Sequence, residues 1–184
     1  MQEDLMQTLD HDQVARYIEA SPQTLYDIVA DVTRMPELSP EIIRCEWLDG
    51  ATSAIPGARF KATNKVEWRP AWNNMPVITV ADRGRELAFS RTEPFAGTVV
   101  WRYRFEPEGR STRVGESYEV TSPVTPIGWF IIGGLFGRHN RRADLRRGMD
   151  LTLQRLGALA KVSHAALPGT RRAGAMSGLM SLTH

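Results

Sequence analysis

The stretch from Ile18 to Ile42, IEASPQTLYDIVADVTRMPELSPEI, constrains this chain more than any other. A short strand runs straight into a helix at Ser21-Pro22. Ser21 is an N-cap residue, whose hydroxyl can accept from an orphaned amide of the first turn. Pro22 fits the first helical position, where a missing N–H costs nothing. Leu25, Ile28, Val29 and Val32 then repeat at helical spacing and give the segment one apolar face. Pro36 and Pro40 are expected to end that segment.

The remainder reads as strands until a last long helix. The first strand is expected over Val14 to Glu19, and paired short helices from Ser21 to about Leu38. Ile42 to Leu48 follows as a strand, closed by the turn dipeptide Asp49-Gly50. Pro56-Gly57 opens a strand from Ala58 to Trp68. Another runs from about Pro76 to Ala81, and Asp82-Arg83-Gly84 turns it into Glu86 to Thr92. Thr98 to Glu106 and Thr112 to Val120 are the clearest strands. Short strands between turn signals, with no helical pattern among them, imply antiparallel pairing.

Alternation sorts the faces. Val99, Trp101, Tyr103 and Phe105 share one face, against Arg102 and Arg104. Phe60, Ala62, Asn64, Val66 and Trp68 oppose Lys61, Lys65 and Glu67. Leu87, Phe89 and Arg91 align, as do Val114, Glu116, Tyr118 and Val120. A sheet with one apolar face needs one cover. Between about Asn140 and Lys161, Leu145, Met149, Leu153, Leu156 and Ala160 form a single apolar stripe that can supply it.

This order predicts an α+β helix-grip fold. A curved antiparallel sheet wraps around a long C-terminal helix, two short helices follow the first strand, and a cavity lies between sheet and helix. Residues 1–11 are expected as a flexible arm, 12–163 as a helix-grip ligand-binding domain, and 164–184 as a disordered tail.

Several function classes are disfavoured. A net charge of +2 over 184 residues provides no global field for nucleic acid, and none is expected as a partner. The single Cys45 excludes an internal disulfide and fits a reducing, cytoplasmic setting. MQEDLMQTLDHD has no apolar core of the secretory kind. The longest apolar run, Pro126 to Gly137, falls short of the about 20 residues a spanning helix needs. His11, His139, His164 and His184 have no metal-ligand spacing, and Gly133-Gly134 lacks the context of a phosphate loop. No cofactor is expected.

Candidate site residues are the polar and aromatic groups on the apolar faces. Asn64, Arg91, Tyr103, Glu116 and Tyr118 are the polar ones. A buried charge must be paired or hydrogen-bonded. Arg91 and Glu116 could therefore pair with each other, as a strand-end salt bridge, or meet the polar end of a ligand. Phe60, Trp68, Phe89, Trp101, Trp129, Phe130 and Met149 are the candidate apolar wall; the tryptophans, with Trp47 and Trp72, could equally be packed core. Few inward polar groups among many aromatics favour a hydrophobic ligand over a charged metabolite.

Four segments carry a resemblance: IEASPQTLYDIVADV, EWLDG, GTVVWRYRFEPEGRSTRVGESYEV and MDLTLQRL. Over about Gln13 to Leu159 the chain resembles the START-like/Bet v 1-like (SRPBCC) superfamily, and within it the bacterial polyketide cyclase/dehydrase and lipid-transport group. The resemblance implies that a hydrophobic small molecule or lipid binds in an internal cavity, for carriage or sensing. It also admits a polyketide aromatase/cyclase-type enzyme, with Arg, Tyr and Glu polarising carbonyls and moving protons. A regulatory protein-binding module with a vestigial cavity is a third class. Convergence of Arg91, Glu116 and a tyrosine on a cavity wall would favour the enzyme, a smooth apolar cavity the carrier, and a cavity filled by Trp and Phe the module.

One segment departs from a plain helix entry. Gly128 to Gly137 is expected to act as a gate over the pocket mouth. Arg138, Arg141, Arg142, Arg146 and Arg147 follow it, and would steer the protein to an anionic membrane surface.

Overall fold

Strand β1 (His11–Ile18) delivers the chain to Ser21, whose Oγ accepts from the Thr24 amide at 3.1 Å. Pro22 then opens helix α1 (Pro22–Ala30), which buries Leu25, Tyr26, Ile28 and Val29. Asp31 leaves helical geometry and caps a single 3₁₀ turn, Val32–Arg34, its Oδ1 accepting from the Thr33 amide at 3.1 Å. Helix α2 (Met35–Leu38) follows. Pro36 lies in its first turn, so it opens this helix and does not end the preceding one. The physical reason is the same as at Pro22: a first-turn residue has no intrahelical acceptor for its amide.

The computed structural model describes residues 10–67, 69–93, 97–122 and 141–166. The strands after α2 are β2 (Ile42–Trp47), β3 (Phe60–Val66), β4 (Arg69–Asn74), β5 (Val77–Asp82), β6 (Glu86–Glu93), β7 (Gly97–Glu108) and β8 (Ser111–Ser122). Helix α3 (Arg141–Ala166) is last, and runs past residue 163, the expected end of the domain. The strands pair antiparallel in two sheets, ordered β1-β8-β7-β6-β5 and β2-β3-β4. The fold is the expected α+β helix grip.

Strand β4 was not anticipated. RPAWNN lies between the strands expected to end at Trp68 and to begin at Pro76, and it holds Pro70, which cannot donate to a ladder. The strand forms at a sheet edge, where such a residue is tolerated. Asn64 faces Trp72 and Ala62 faces Asn74.

The two sheets join where β4 passes into β5. The Phe60 amide donates to the Pro76 carbonyl at 3.1 Å, and the Ile78 amide to the Ala58 carbonyl at 2.8 Å. On the far side of Pro76 the sheet divides. Strand β4 stays with β3, while the end of β6 stays with β7, where Arg91 faces Val99. Asn74 and Arg91 stand on opposite sides of this split.

Helix α3 fills the concave side and packs against β1, α1 and α2. Met149, Leu153, Leu156 and Ala160 are all buried, together with Tyr103, Phe105 and Val114 from the sheet. Val99 and Trp101 pack against that core from the same face of β7. The outer face is charged, as alternation requires. Glu86 pairs with Arg102 and, at 3.3 Å, with Arg104; Glu106 pairs with Arg113 at 2.8 Å. Pairing register shifts near the end of β3, between Asn64 and Val66, and again in β2 between Ile42 and Arg44, in β5 between Ile78 and Val80 and in β7 between Thr98 and Val99.

Some expectations fall outside the described residues. These are the arm up to residue 9, Trp68, Trp129, Phe130, His139, the gate over Gly128 to Gly137, and the tail beyond Ala166.

Candidate functional site

A cavity of about 90 Å³ lies between the sheet and α3. Strand β3 contributes Phe60, Ala62 and Asn64, and β6 contributes Phe89 and Arg91. Strand β7 contributes Trp101 and Tyr103, and β8 contributes Glu116. Leu145, Gly148, Met149 and Thr152 of α3 close one side, and Met35 with residues 39–42 closes another. The aromatic wall is made of edge contacts: Phe60 lies 5.4 Å from Phe89 and 6.0 Å from Trp47, centroid to centroid. Edge-to-face packing holds such rings in fixed orientations.

The cavity adjoins a second, more open groove of about 520 Å³. Pro40, Glu41 and Gly148 border both. The groove carries Ile43, Val66 and Leu151 with Lys65, Glu67, Asp144 and Arg147, so its lining mixes apolar side chains with both signs of charge.

Eight of the twelve residues singled out from the sequence line the cavity: Phe60, Asn64, Phe89, Arg91, Trp101, Tyr103, Glu116 and Met149. Tyr118 is buried behind that wall, its ring 5.5 Å from that of Trp101, which it faces across the ladder. Trp68, Trp129 and Phe130 are the three outside the described residues.

The polar groups are arranged by register. Tyr103 and Glu116 stand directly opposite each other on β7 and β8. The Tyr103 hydroxyl donates to Glu116 Oε1 at 2.8 Å. Glu116 is only 4% exposed, and its Oε2 has no hydrogen-bond partner among the described residues. Burial pushes its pKa up to about 8; the Tyr103 hydrogen bond opposes that rise, and the charge of Asp150 on α3 adds to it. The Tyr103 hydroxyl is pushed well above its usual 10 by burial and by Glu116. Near neutral pH the pair is thus a phenol bonded to a carboxylic acid, a proton reservoir in an apolar chamber.

Arg91 does not pair with Glu116, which is a correction to one of the two arrangements expected. Glu116 is engaged by Tyr103, and Arg91 meets Asn74 across the split in the sheet. The Asn74 amide satisfies both ends only with its oxygen toward Arg91, accepting from Nη1 at 2.7 Å, while its nitrogen donates to the Ala62 carbonyl at 3.3 Å. Asn74 escaped the sequence reading because β4 did. Gly148 and Thr152 escaped because a stripe of large apolar residues does not reveal which small neighbours face a cavity. Leu145, though read as stripe, also lines the cavity.

The basic run is partly neutralised at home. Arg146 binds Asp12 of β1 at 2.6 Å, and Arg147 pairs with Asp144. Among the described residues, no group of three His, Cys, Asp or Glu could hold a metal ion, and no helix is long and apolar enough to cross a membrane.

The geometry has relatives among solved structures. The di-domain ARO/CYC StfQ from the steffimycin biosynthetic pathway superposes with a TM-score of 0.68 at 14% identity. The match covers 89% of this chain and 54% of StfQ, so the chain spans about half the length of that protein. Zhui aromatase/cyclase from Streptomyces sp. R1128 gives 0.66 at 17% identity, covering 86% of this chain and 98% of Zhui. The Polyketide_cyc-like protein Cgl2372 from Corynebacterium glutamicum gives 0.55 at 27% identity, covering 86% and 97%. No curated protein matches the sequence. The family model described as polyketide cyclase / dehydrase and lipid transport matches residues 12–160, from the second residue of β1 to the buried Ala160 of α3, and the chain belongs to that family within the START-like/Bet v 1-like superfamily.

Proposed function

We propose that this protein binds a hydrophobic small molecule between its sheet and C-terminal helix. The observation that carries the reading is the cavity itself: an apolar and aromatic wall into which a few polar side chains converge. Burial of apolar surface contributes about 25 cal/mol per Å², and the polar groups fix orientation. Pro40, Glu41 and Gly148 separate the cavity from the groove, so an occupant larger than the cavity would have to part Pro40 from Gly148 to extend into it. The test is native mass spectrometry of protein purified from its source. Mass increments that vanish on organic extraction are expected; uniformly bare protein that also ignores apolar probes in solution would refute the reading.

A second reading is a cyclase-type enzyme. It is favoured by one observation: Arg91, Tyr103 and Glu116 all line the same cavity, and Glu116 is poised to exchange a proton near neutral pH. Two of the similar structures carry aromatase/cyclase names, which adds to this reading. Incubation with short poly-β-ketone thioesters separates the two readings. Turnover that is lost in Glu116→Gln while binding persists would favour the enzyme.

A further inference from the structure

We propose that Glu116 recognises its ligand as a neutral carboxylic acid, donating a hydrogen bond from Oε2 to a carbonyl oxygen on an otherwise hydrophobic molecule. The inference rests on the binding reading above and narrows it to a class of ligand. Its basis is geometric. Oε1 already accepts from Tyr103 at 2.8 Å, Oε2 is buried and has no partner among the described residues, and Glu116 is one of the residues that line the cavity. An acid group that accepts from Tyr103 through Oε1 divides its two oxygens between two roles. The oxygen that accepts from the phenol is the carbonyl oxygen, and the other carries the proton. A buried donor left unsatisfied is costly, so a protonated Oε2 selects an acceptor.

The surrounding charges fit this assignment. Tyr103 from β7 offers its proton to Oε1. Asp150 from α3 disfavours ionisation, and burial does so more strongly, holding the group protonated until about pH 8. Arg91 on β6 is engaged with Asn74, and Arg146 on α3 is engaged with Asp12 of β1. Glu41, next to Pro40, lines both the cavity and the groove. A ligand carboxylate placed directly against Glu116 would meet a second carboxyl group, and would gain from it no opposite charge. A ketone or ester carbonyl suits it.

The experiment compares two probes of nearly equal shape, acetophenone and α-methylstyrene, by two-dimensional NMR titration of the Trp101 indole N–H. At pH 6.5 acetophenone should bind about tenfold more tightly, the order expected for one net hydrogen bond. That preference should fade through pH 8 and be gone at pH 9.5. Glu116→Gln keeps a donor and should hold the preference without pH dependence. Glu116→Leu should remove it. Equal binding of the two probes at pH 6.5 would overturn the inference while leaving the binding reading intact. A Glu116→Gln protein whose preference still faded through pH 8 would also overturn it. Failure of both probes to bind would remove the inference and the binding reading together.

Discussion

Tyr103 and Glu116 face each other across the β7–β8 ladder and share a 2.8 Å hydrogen bond inside the cavity wall. Because the folded carboxyl has its pKa raised from 4.5 to about 8, folding takes up a proton between those values. Below about pH 4.5 the acid is neutral in both states and stability is undiminished. As pH rises toward 8, the unfolded chain ionises while the folded one does not, and stability falls by about 1.4 kcal/mol per unit. Above 8 both states are charged and the loss levels off. Denaturant midpoints taken from pH 4.5 to 9 should show this slope in the parent and lack it in Glu116→Gln. The same slope in both proteins would locate the titration elsewhere.

Tyr103→Phe probes the other side of the bond. Removing the hydroxyl leaves Oε1 buried without its donor, at a cost of about 1–3 kcal/mol. The hydroxyl also opposes the rise in the Glu116 pKa. Its loss should therefore move the upper end of the pH-dependent window above 8. A destabilised Tyr103→Phe protein whose window stays fixed would show that the bond leaves the acid's titration untouched.

What the sequence disclosed and what it hid have physical causes. Alternation on β7 and β8 has period two, so it correctly assigned Tyr103 and Glu116 to the inner face. It could not say that they are cross-strand partners, since pairing register depends on the turn between strands. Ser21-Pro22 was legible because capping is local chemistry. Pro36 was misread because a proline that stops one helix and a proline that starts the next leave the same mark. Strand β4, and with it Asn74, was hidden because edge position rescues a residue that propensity alone rejects. The division of the sheet at Pro76 followed from β4 and was hidden with it.

Arg146 joins the start of α3 to β1 through Asp12. The acid is buried, at 8% side-chain exposure, while the arginine is 55% exposed. Solvent screening limits such a pair to about 1 kcal/mol or less. Arg146→Gln should lower stability by no more than that, and the difference from the parent should shrink between low salt and 1 M salt. A loss of several kcal/mol, insensitive to salt, would mean that the buried Asp12, left without its partner, sets the cost.

Cys45 offers a reporter of global opening. It is buried on β2, and burial pushes its thiol up to about 12, with Glu46 adding to the shift. The thiolate is the reactive form. A chromogenic disulfide at pH 8 should react with native protein only as fast as the chain opens, and within seconds in denaturant. Rapid labelling of the native protein would place Cys45 in a segment that opens on its own.

Gly157 sits within α3, and the space beside it is set by Ile18 of β1. A Cβ built on this glycine would lie 3.7 Å from both Cγ1 and Cγ2 of Ile18, an ordinary van der Waals contact. Glycine inside a helix is less favourable than alanine by about 1 kcal/mol, chiefly through backbone entropy. Gly157→Ala should therefore stabilise the protein by about 1 kcal/mol, raising Tm by about 2–4 °C for a chain of this size. The helix–β1 contact is close enough to set an upper limit on size. Gly157→Leu would drive further atoms into Ile18 and should destabilise by about 1–3 kcal/mol. Thermal unfolding of the two variants beside the parent decides the matter: a gain for alanine and a loss for leucine are expected. A loss for alanine as well would mean that α3 lies closer to β1 than a methyl group allows.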